Sequence, residues 1–280
     1  MRLIDSHSHL QAEAFAADAD EVIAAAQLAG VERILAPGWD VASSASSVAL
    51  AARHEMVDAT VGVHPHVAAE VDYEQWASLV VLAADPAVVA IGETGLDYDR
   101  GFSPRPAQLA NLRRNLRLAL ETGKPAVLHC RSRVGERDAQ DELIAELRGM
   151  GLGGAAWHAA FGSRAPALLH SFSGPVDYAE AALEMGLAIS FSGLVFRAGE
   201  EASAVVAHLV PDDRVLVETD SPYLSPPGAP RRRNEPLWVE VTARWLAEWR
   251  KVSPDDLGER LVANYDAIFR SRPPVAGSTP

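Results

Sequence analysis

Near the start of the chain, the segment IDSHSHL places Asp5, His7 and His9 at alternate positions behind a short apolar run. Imidazoles and a carboxylate are donors for a divalent cation. A strand's side-chain period of two would turn all three to one face, where they could share an ion. On a packed core face each imidazole would instead need its own hydrogen-bonding partner. Two solvated histidines on an edge strand fit the same segment, so the rest of the chain has to decide.

Further polar residues recur at one kind of position, the C-terminal end of an apolar run. His64 follows ATVGV, Glu93 follows VVAIG, His129 follows PAVL, His170 follows PALL and Asp220 follows VLVET. Each has a plain reading on its own: His129 as a satisfied core histidine, Glu93 as a salt bridge. Taken together, buried charges at equivalent strand ends would be costly without a cation. His7, His9, Glu93, His129, His170 and Asp220 supply four imidazoles and two carboxylates, a set suited to a borderline or hard divalent ion; it does not rank Zn, Mn and Mg. Two ions about 3.5 to 4 Å apart would fit if one carboxylate bridged them, activating water and stabilising a phosphoryl oxygen. The expected division gives His7, His9 and Asp220 to one ion, His129 and His170 to the other, and Glu93 to both.

Eight runs read as strands: RLIDSHSH, VERILAPG, VDATVGVHP, VVAIGETGLD, PAVLHCR, ALLHSFSG, LAISFSG and RVLVETDSP. Between them lie periodic segments such as DEVIAAAQLAG and RPAQLANLRRNLRLALETG, bounded by Gly, Pro or acidic residues that stop or cap helices. NEPLWVEVTARWLAEWRK and SPDDLGERLVANYDAIFR add two helices after the last strand. This alternation predicts an α/β fold, a (β/α)8 TIM barrel, with an open doubly wound sheet as its rival. No glycine-rich dinucleotide turn follows the first strand, which weakens the rival. A barrel also gathers all the strand ends on one face, where its active sites are built. One barrel domain is expected over 1–270, with 271–280 a flexible C-terminal tail.

The chain has 280 residues, 48% of them hydrophobic, enough for a large core, and a formal net charge of -13, which offers no global attraction to nucleic acid or anionic membrane. A local arginine cluster or a bound cation can reverse that sign. The single cysteine, Cys130, excludes an intrachain disulfide and is read as a structural thiol rather than a nucleophile. Apolar runs are too short to span a membrane, and the N-terminus leaves no room for a signal peptide's apolar region, so a cytoplasmic protein without an obligate protein partner is expected.

The motifs DSHSHL, VGVHPH, IGETGLDYDR, LHCR, LHSFSG, ISFSG, VETDSPYLSP and RRRNEP, in this order over about residues 3 to 269, resemble the TatD family of metal-dependent hydrolases within the amidohydrolase superfamily. That resemblance implies a metallo-dependent hydrolase barrel and a deoxyribonuclease with 3′ to 5′ exonuclease activity on single-stranded DNA ends. It also implies two divalent ions, with His7 and His9 on the first, Glu93 bridging, and His129 and His170 on the second. Asp220 then orients or deprotonates water, making Asp220 and Glu93 the catalytic pair, and His64 lies on the phosphate side.

Arg131, two residues past His129, and the triplet Arg231, Arg232 and Arg233 supply forked donors for phosphate. Arg233 and Asn234 of the RRRNEP segment are among the expected substrate contacts. Tyr98 and Tyr223 are candidate stacking surfaces for a base. Three segments depart from the family pattern: SRVGERDAQDEL, the Gly/Ala-rich GMGLGGAAWHAAFGSRAP, and PRRRNEP, which keeps the basic character of the family's loop and lacks its glycine; His158 in the second reads as a loop histidine. The same site could cleave a small phosphoester or an aminoacyl ester, and a non-catalytic metal-binding scaffold is the reading from another class.

Overall fold

The computed structural model describes residues 1–271. Eight parallel strands, β1 (Leu3–Asp5), β2 (Val31–Ala36), β3 (Val57–Val61), β4 (Val88–Asp97), β5 (Ala126–Arg131), β6 (Ala167–Leu169), β7 (Ala188–Phe191) and β8 (Val215–Val217), follow one another in chain order around a single sheet. Ten helices alternate with and follow them: α1 (Ala19–Leu28), α2 (Val41–Arg53), α3 (Tyr73–Leu82), α4 (Arg105–Thr122), α5 (Asp138–Gly149), α6 (Ala155–Phe161), α7 (Val176–Glu184), α8 (Ala202–Leu209), α9 (Val239–Arg250) and α10 (Pro254–Tyr265). This is the barrel that the alternation predicts. Every residue of β1, β3, β6, β7 and β8 is buried, as required of strands with helices outside and side chains filling the middle.

The local signals act where expected. Asp40 and Ser43 form a capping box at α2, and Asp72 and Gln75 form another at α3. Gly123, at φ 65°, ends α4 in the left-handed conformation that a side chain resists. Within α4, Leu112, Leu116 and Ala119 recur at helical spacing and are all fully buried.

The first strand is shorter than the RLIDSHSH reading, because ladder pairing to β2 ends at Asp5. Extended chain beyond it closes the barrel: Ser8 bridges Ser221, Ser6 N–H donates to the Val217 carbonyl at 3.0 Å, and Asp220 N–H donates to the His7 carbonyl at 2.9 Å. The segment read as a Gly/Ala-rich connection holds α6, whose Trp157 and Phe161 stack at 5.5 Å and are buried. It leads into the N-terminal end of β6 and so lies opposite the catalytic mouth, which removes it from the loops that shape the pocket. Of the expected tail, residues 272–280 fall outside the described residues.

Gly95 sits in β4 at φ 139°, where a Cβ would overlap the His129 carbonyl. That close approach pairs Gly95 with His129 and sets the ends of β4 and β5 against each other.

Candidate metal centre

Glu93 organises the mouth of the barrel. Its Oε2 faces His7 Nε2 at 3.2 Å and His9 Nε2 at 3.7 Å. Its Oε1 faces His170 Nε2 at 3.0 Å, His129 Nδ1 at 3.1 Å and His64 Nε2 at 3.2 Å. Asp220 Oδ1 lies 3.3 Å from His9 Nε2 and 3.9 Å from His7 Nε2. The six expected ligands therefore converge, with the two oxygens of one carboxylate turned to two groups of histidines. Clusters with metal-ligand spacing form from His7, His9 and Glu93, from His7, His170 and Asp220, and from His64, Glu93 and His129. His170 thus adjoins both halves, its ring stacked on that of His7 at 3.9 Å.

The donor chemistry fits divalent ions. His7 Nε2 and His9 Nε2 face each other at 3.3 Å, and the Nδ1 atoms of both rings are buried with no hydrogen-bond partner among the described residues. An ion on the Nε2 side would give these facing nitrogens and the oxygens of Glu93 and Asp220 a shared partner, with each ring's proton left on Nδ1.

The outer contacts decide which imidazoles can offer a lone pair. His170 Nδ1 meets Glu218 Oε1 at 3.1 Å, and Glu218 is itself held by the Ser190 hydroxyl. His129 Nε2 meets Asp97 Oδ2 at 3.3 Å. Against burial, which lowers both, carboxylates on the two sides of each ring raise the pKa of His129 (Asp97 and Glu93) and raise that of His170 well above its ordinary value (Glu93 and Glu218). A cation on the Glu93 side would replace the proton there and leave the other on the outer carboxylate's side, the arrangement of metal-ligating histidines. His64 differs. Its Nδ1 accepts the His66 N–H at 3.1 Å, so in the neutral ring the proton sits on Nε2 and points at the centre. Burial pushes the His64 pKa down to about 4, against the opposing pull of Glu93, which keeps that ring neutral. Although His64 lies within ligand spacing, its tautomer makes it a hydrogen-bond donor to an anionic oxygen.

Burial alone would raise the Glu93 carboxyl, but His64, His170 and His7 together hold it well below the usual carboxylate range. Asp220 behaves similarly: burial raises it, and His9 and His7 outweigh burial. Asp220 also occupies the left-handed region, at φ 54°, held by its N–H on His7 and by the Tyr223 N–H donating to its carbonyl at 2.8 Å.

Sequence reasoning missed Asp97, Glu218 and His66, which orient the histidines. Asp97 is gripped by His66 Nε2 at 2.7 Å and its N–H donates to Gln108 at 2.8 Å. The available signal was that each buried imidazole needs a partner, and both carboxylates stand within four residues of a recognised one. Glu218→Ala should weaken metal binding about 10- to 100-fold, and Glu218→Gln, which keeps a carbonyl acceptor, by less. A competitive chelator titration, with circular dichroism to check the fold, measures both.

Asp5 does not share the centre as its alternation with His7 and His9 suggests. Its carboxylate takes the Thr219 N–H at 2.9 Å and the Thr219 hydroxyl at 2.6 Å, tying β1 to β8. Arg131 is exposed at the mouth and pairs with Asp99 at 2.8 Å. Arg233, partly exposed, is engaged by Asp18 at 2.8 Å and Glu235 at 2.7 Å, and its guanidinium lies over Phe15. Asn234 is fully buried, donating to the Thr219 carbonyl at 3.0 Å and accepting the Glu235 N–H at 2.9 Å. Arg231 and Arg232 are exposed. Tyr98 is buried beneath Arg105 with its hydroxyl on Glu142, so it has no face for a base, whereas Tyr223 is 60% exposed. His158 lies on α6, away from the mouth. Cys130 has its thiol pushed up to about 12 by burial, which rules it out as a nucleophile at neutral pH.

A parallel barrel whose mouth gathers histidines around a bridging-type carboxylate defines the class of metal-dependent hydrolases. The sequence matches the TatD related DNase family over residues 4–270, and the chain belongs to that family. It is 36% identical over 275 residues to the 3′-5′ ssDNA/RNA exonuclease TatD of Erwinia billingiae, covering 96% of this chain and 99% of that one. It is 32% identical over 269 residues to an uncharacterized metal-dependent hydrolase, YabD, of Bacillus subtilis, with coverage of 96% and 99%. The crystal structure of YJJV, a TatD homolog from Escherichia coli K12, superposes with a TM-score of 0.82 at 26% identity, covering 96% and 98%. No helix among the described residues is long and apolar enough to cross a membrane.

Proposed function

We propose that this protein is a two-ion phosphodiesterase that removes nucleotides from the 3′ ends of single-stranded DNA, acting as one barrel domain over 1–270 in the cytoplasm. The observation that carries the reading is the division of Glu93, with one oxygen toward His7 and His9 and the other toward His129 and His170. A single-stranded nucleic acid substrate is supported by the relatives named 3′-5′ ssDNA/RNA exonucleases, and DNA by the TatD related DNase family match.

Two divalent ions bound there would supply charge stabilisation for the reacting phosphate and lower the pKa of the attacking water. His7, His9 and Asp220 would hold one ion and His129 and His170 the other. Asp220 takes a proton from the water as its oxygen attacks phosphorus. The bond from phosphorus to the 3′ oxygen of the shortened strand breaks, and that oxygen is protonated from solvent. His64, with its proton on Nε2, donates to a non-bridging phosphate oxygen. Arg131, Arg231 and Arg232 attract the backbone, while Arg233 and Asn234 hold the loop that carries the arginines.

Metal-loaded protein should be compared on 3′- and 5′-labelled single strands, duplex DNA, a small phosphodiester and an aminoacyl ester. Stepwise, metal-dependent loss from the 3′ end is the expected result. Rapid ester cleavage without DNA turnover would overturn the nuclease reading and leave a hydrolase. In the Arg231→Ala/Arg232→Ala double variant, KM for single-stranded DNA should rise several-fold with kcat nearly unchanged. The log–log salt slope should flatten by about 0.7 per lost phosphate contact.

A further inference from the structure

The ions and arginines of the proposed nuclease read phosphate, and phosphate carries no information about whether a base is present or unpaired. A neighbouring pair of rings can. Trp39 lies in the loop between β2 and α2 and is absent from the hydrophobic core. Its ring meets the His9 imidazole edge to face, with centroids 5.4 Å apart at 63°, and Tyr223 meets the same imidazole at 5.9 Å and 71°. Two aromatic rings thus flank one histidine of the centre, one from the loop after β2 and the other from the loop after β8.

The backbone that carries each ring is anchored. The Trp39 N–H donates to Ser43 Oγ at 2.8 Å and its carbonyl accepts the His64 N–H at 2.9 Å. The preceding Gly38, where a Cβ would overlap Ser44, accepts the Glu93 N–H at 2.6 Å. The Trp39 backbone is therefore tied to the segments bearing Glu93 and His64. Tyr223 is tied to Asp220 by its N–H, and its 60% exposure leaves aromatic surface open beside the reacting position. A pre-positioned ring loses little entropy on stacking, and every base has a face to offer.

Resting on the nuclease reading, we infer that Trp39 and Tyr223 form a stacking site for the terminal base, so that the protein selects ends whose last base is present and unpaired. A base held in a duplex cannot turn out to meet these rings without first losing its partner. The stack is sequence-tolerant, so the selection is for strandedness rather than for base identity.

The test measures kcat/KM of metal-loaded wild type, Trp39→Ala and Trp39→Phe. One single strand ends in a normal nucleotide and the other in a base-free tetrahydrofuran residue. Wild type should cleave the base-free end about 10- to 100-fold less efficiently, the size of one base–aromatic stack. In Trp39→Ala that penalty should shrink to within about threefold, and Trp39→Phe should restore most of it. Quenching of a terminal 2-aminopurine on binding should weaken in Trp39→Ala, a change that a merely structural role at the mouth would not produce. A wild-type enzyme that removes both ends equally well, or a Trp39→Ala variant that keeps the full penalty, overturns the stacking site while the nuclease stands. Failure of wild type to turn over any DNA overturns both.

Discussion

Glu93→Ala is expected to lower turnover by at least about a thousandfold and to reduce bound metal from two equivalents to one or fewer. The carboxylate is buried, with one oxygen on His7 and His9 and the other on His64, His129 and His170. Truncation leaves His7, His9, His64, His129 and His170 close together without the charge that organises them, and a site that hydrolyses through two ions loses their common support. Metal counting on chelator-stripped and reloaded protein, beside the circular dichroism spectrum, measures the effect. A wild-type protein that saturates below one equivalent, unchanged in Glu93→Ala, would remove the two-ion centre. The fold should survive, since the closing contacts between β1 and β8 run through Asp5, Ser6 and Ser8 rather than through Glu93.

Asp220→Asn is expected to separate chemistry from capture. The amide preserves size and can still present an oxygen, but it cannot accept the water's proton at working pH. Loss of a positioned base costs about 10²- to 10⁴-fold in kcat. Because Arg131, Arg231 and Arg232 are untouched, the Kd for single-stranded DNA should stay within about threefold. Single-turnover cleavage and fluorescence anisotropy on the same metal-loaded sample make the comparison. Equal losses in binding and turnover would show that Asp220 serves chiefly to hold metal.

How much of this was legible in the sequence differs from residue to residue. The run VVAIGETGLD corresponds residue for residue to β4: Val88, Val89 and Ile91 open it just after Pro86, and the turn-forming DYDRG closes it. RLIDSHSH was read as one strand, although ladder pairing stops at Asp5. His7 and His9 keep the extended alternation that drew attention to them, and alternation does not reveal where a neighbouring strand ends. The ligands were visible because barrel topology brings every strand exit to one place. Their orienting partners were not, since Glu218 and Asp97 are ordinary acidic residues until a specific imidazole nitrogen faces them. Arg233 shows the complementary limit. A run of three arginines carries no mark of which one is neutralised, and Asp18, which neutralises it, lies 215 positions away. Trp39 has no periodic or compositional signal at all, and only its approach to His9 sets it apart.

The barrel's closure joins the residues at β1 to those just past β8, the last strand, through Ser8 with Ser221 and Asp5 with Thr219. During synthesis His7 and His9 leave the ribosome first, and they wait for more than two hundred further residues before Asp220 exists to meet them. The earlier strands can pair as they emerge, each with its predecessor, but the seam cannot form until β8 arrives. A chain interrupted between Glu93 and that point carries Glu93 with some or all of its histidines and lacks Asp220. On the proposed mechanism, hydrolytic competence is therefore withheld from the growing polypeptide until the contacts that seal the fold bring Asp220 to His7 and His9.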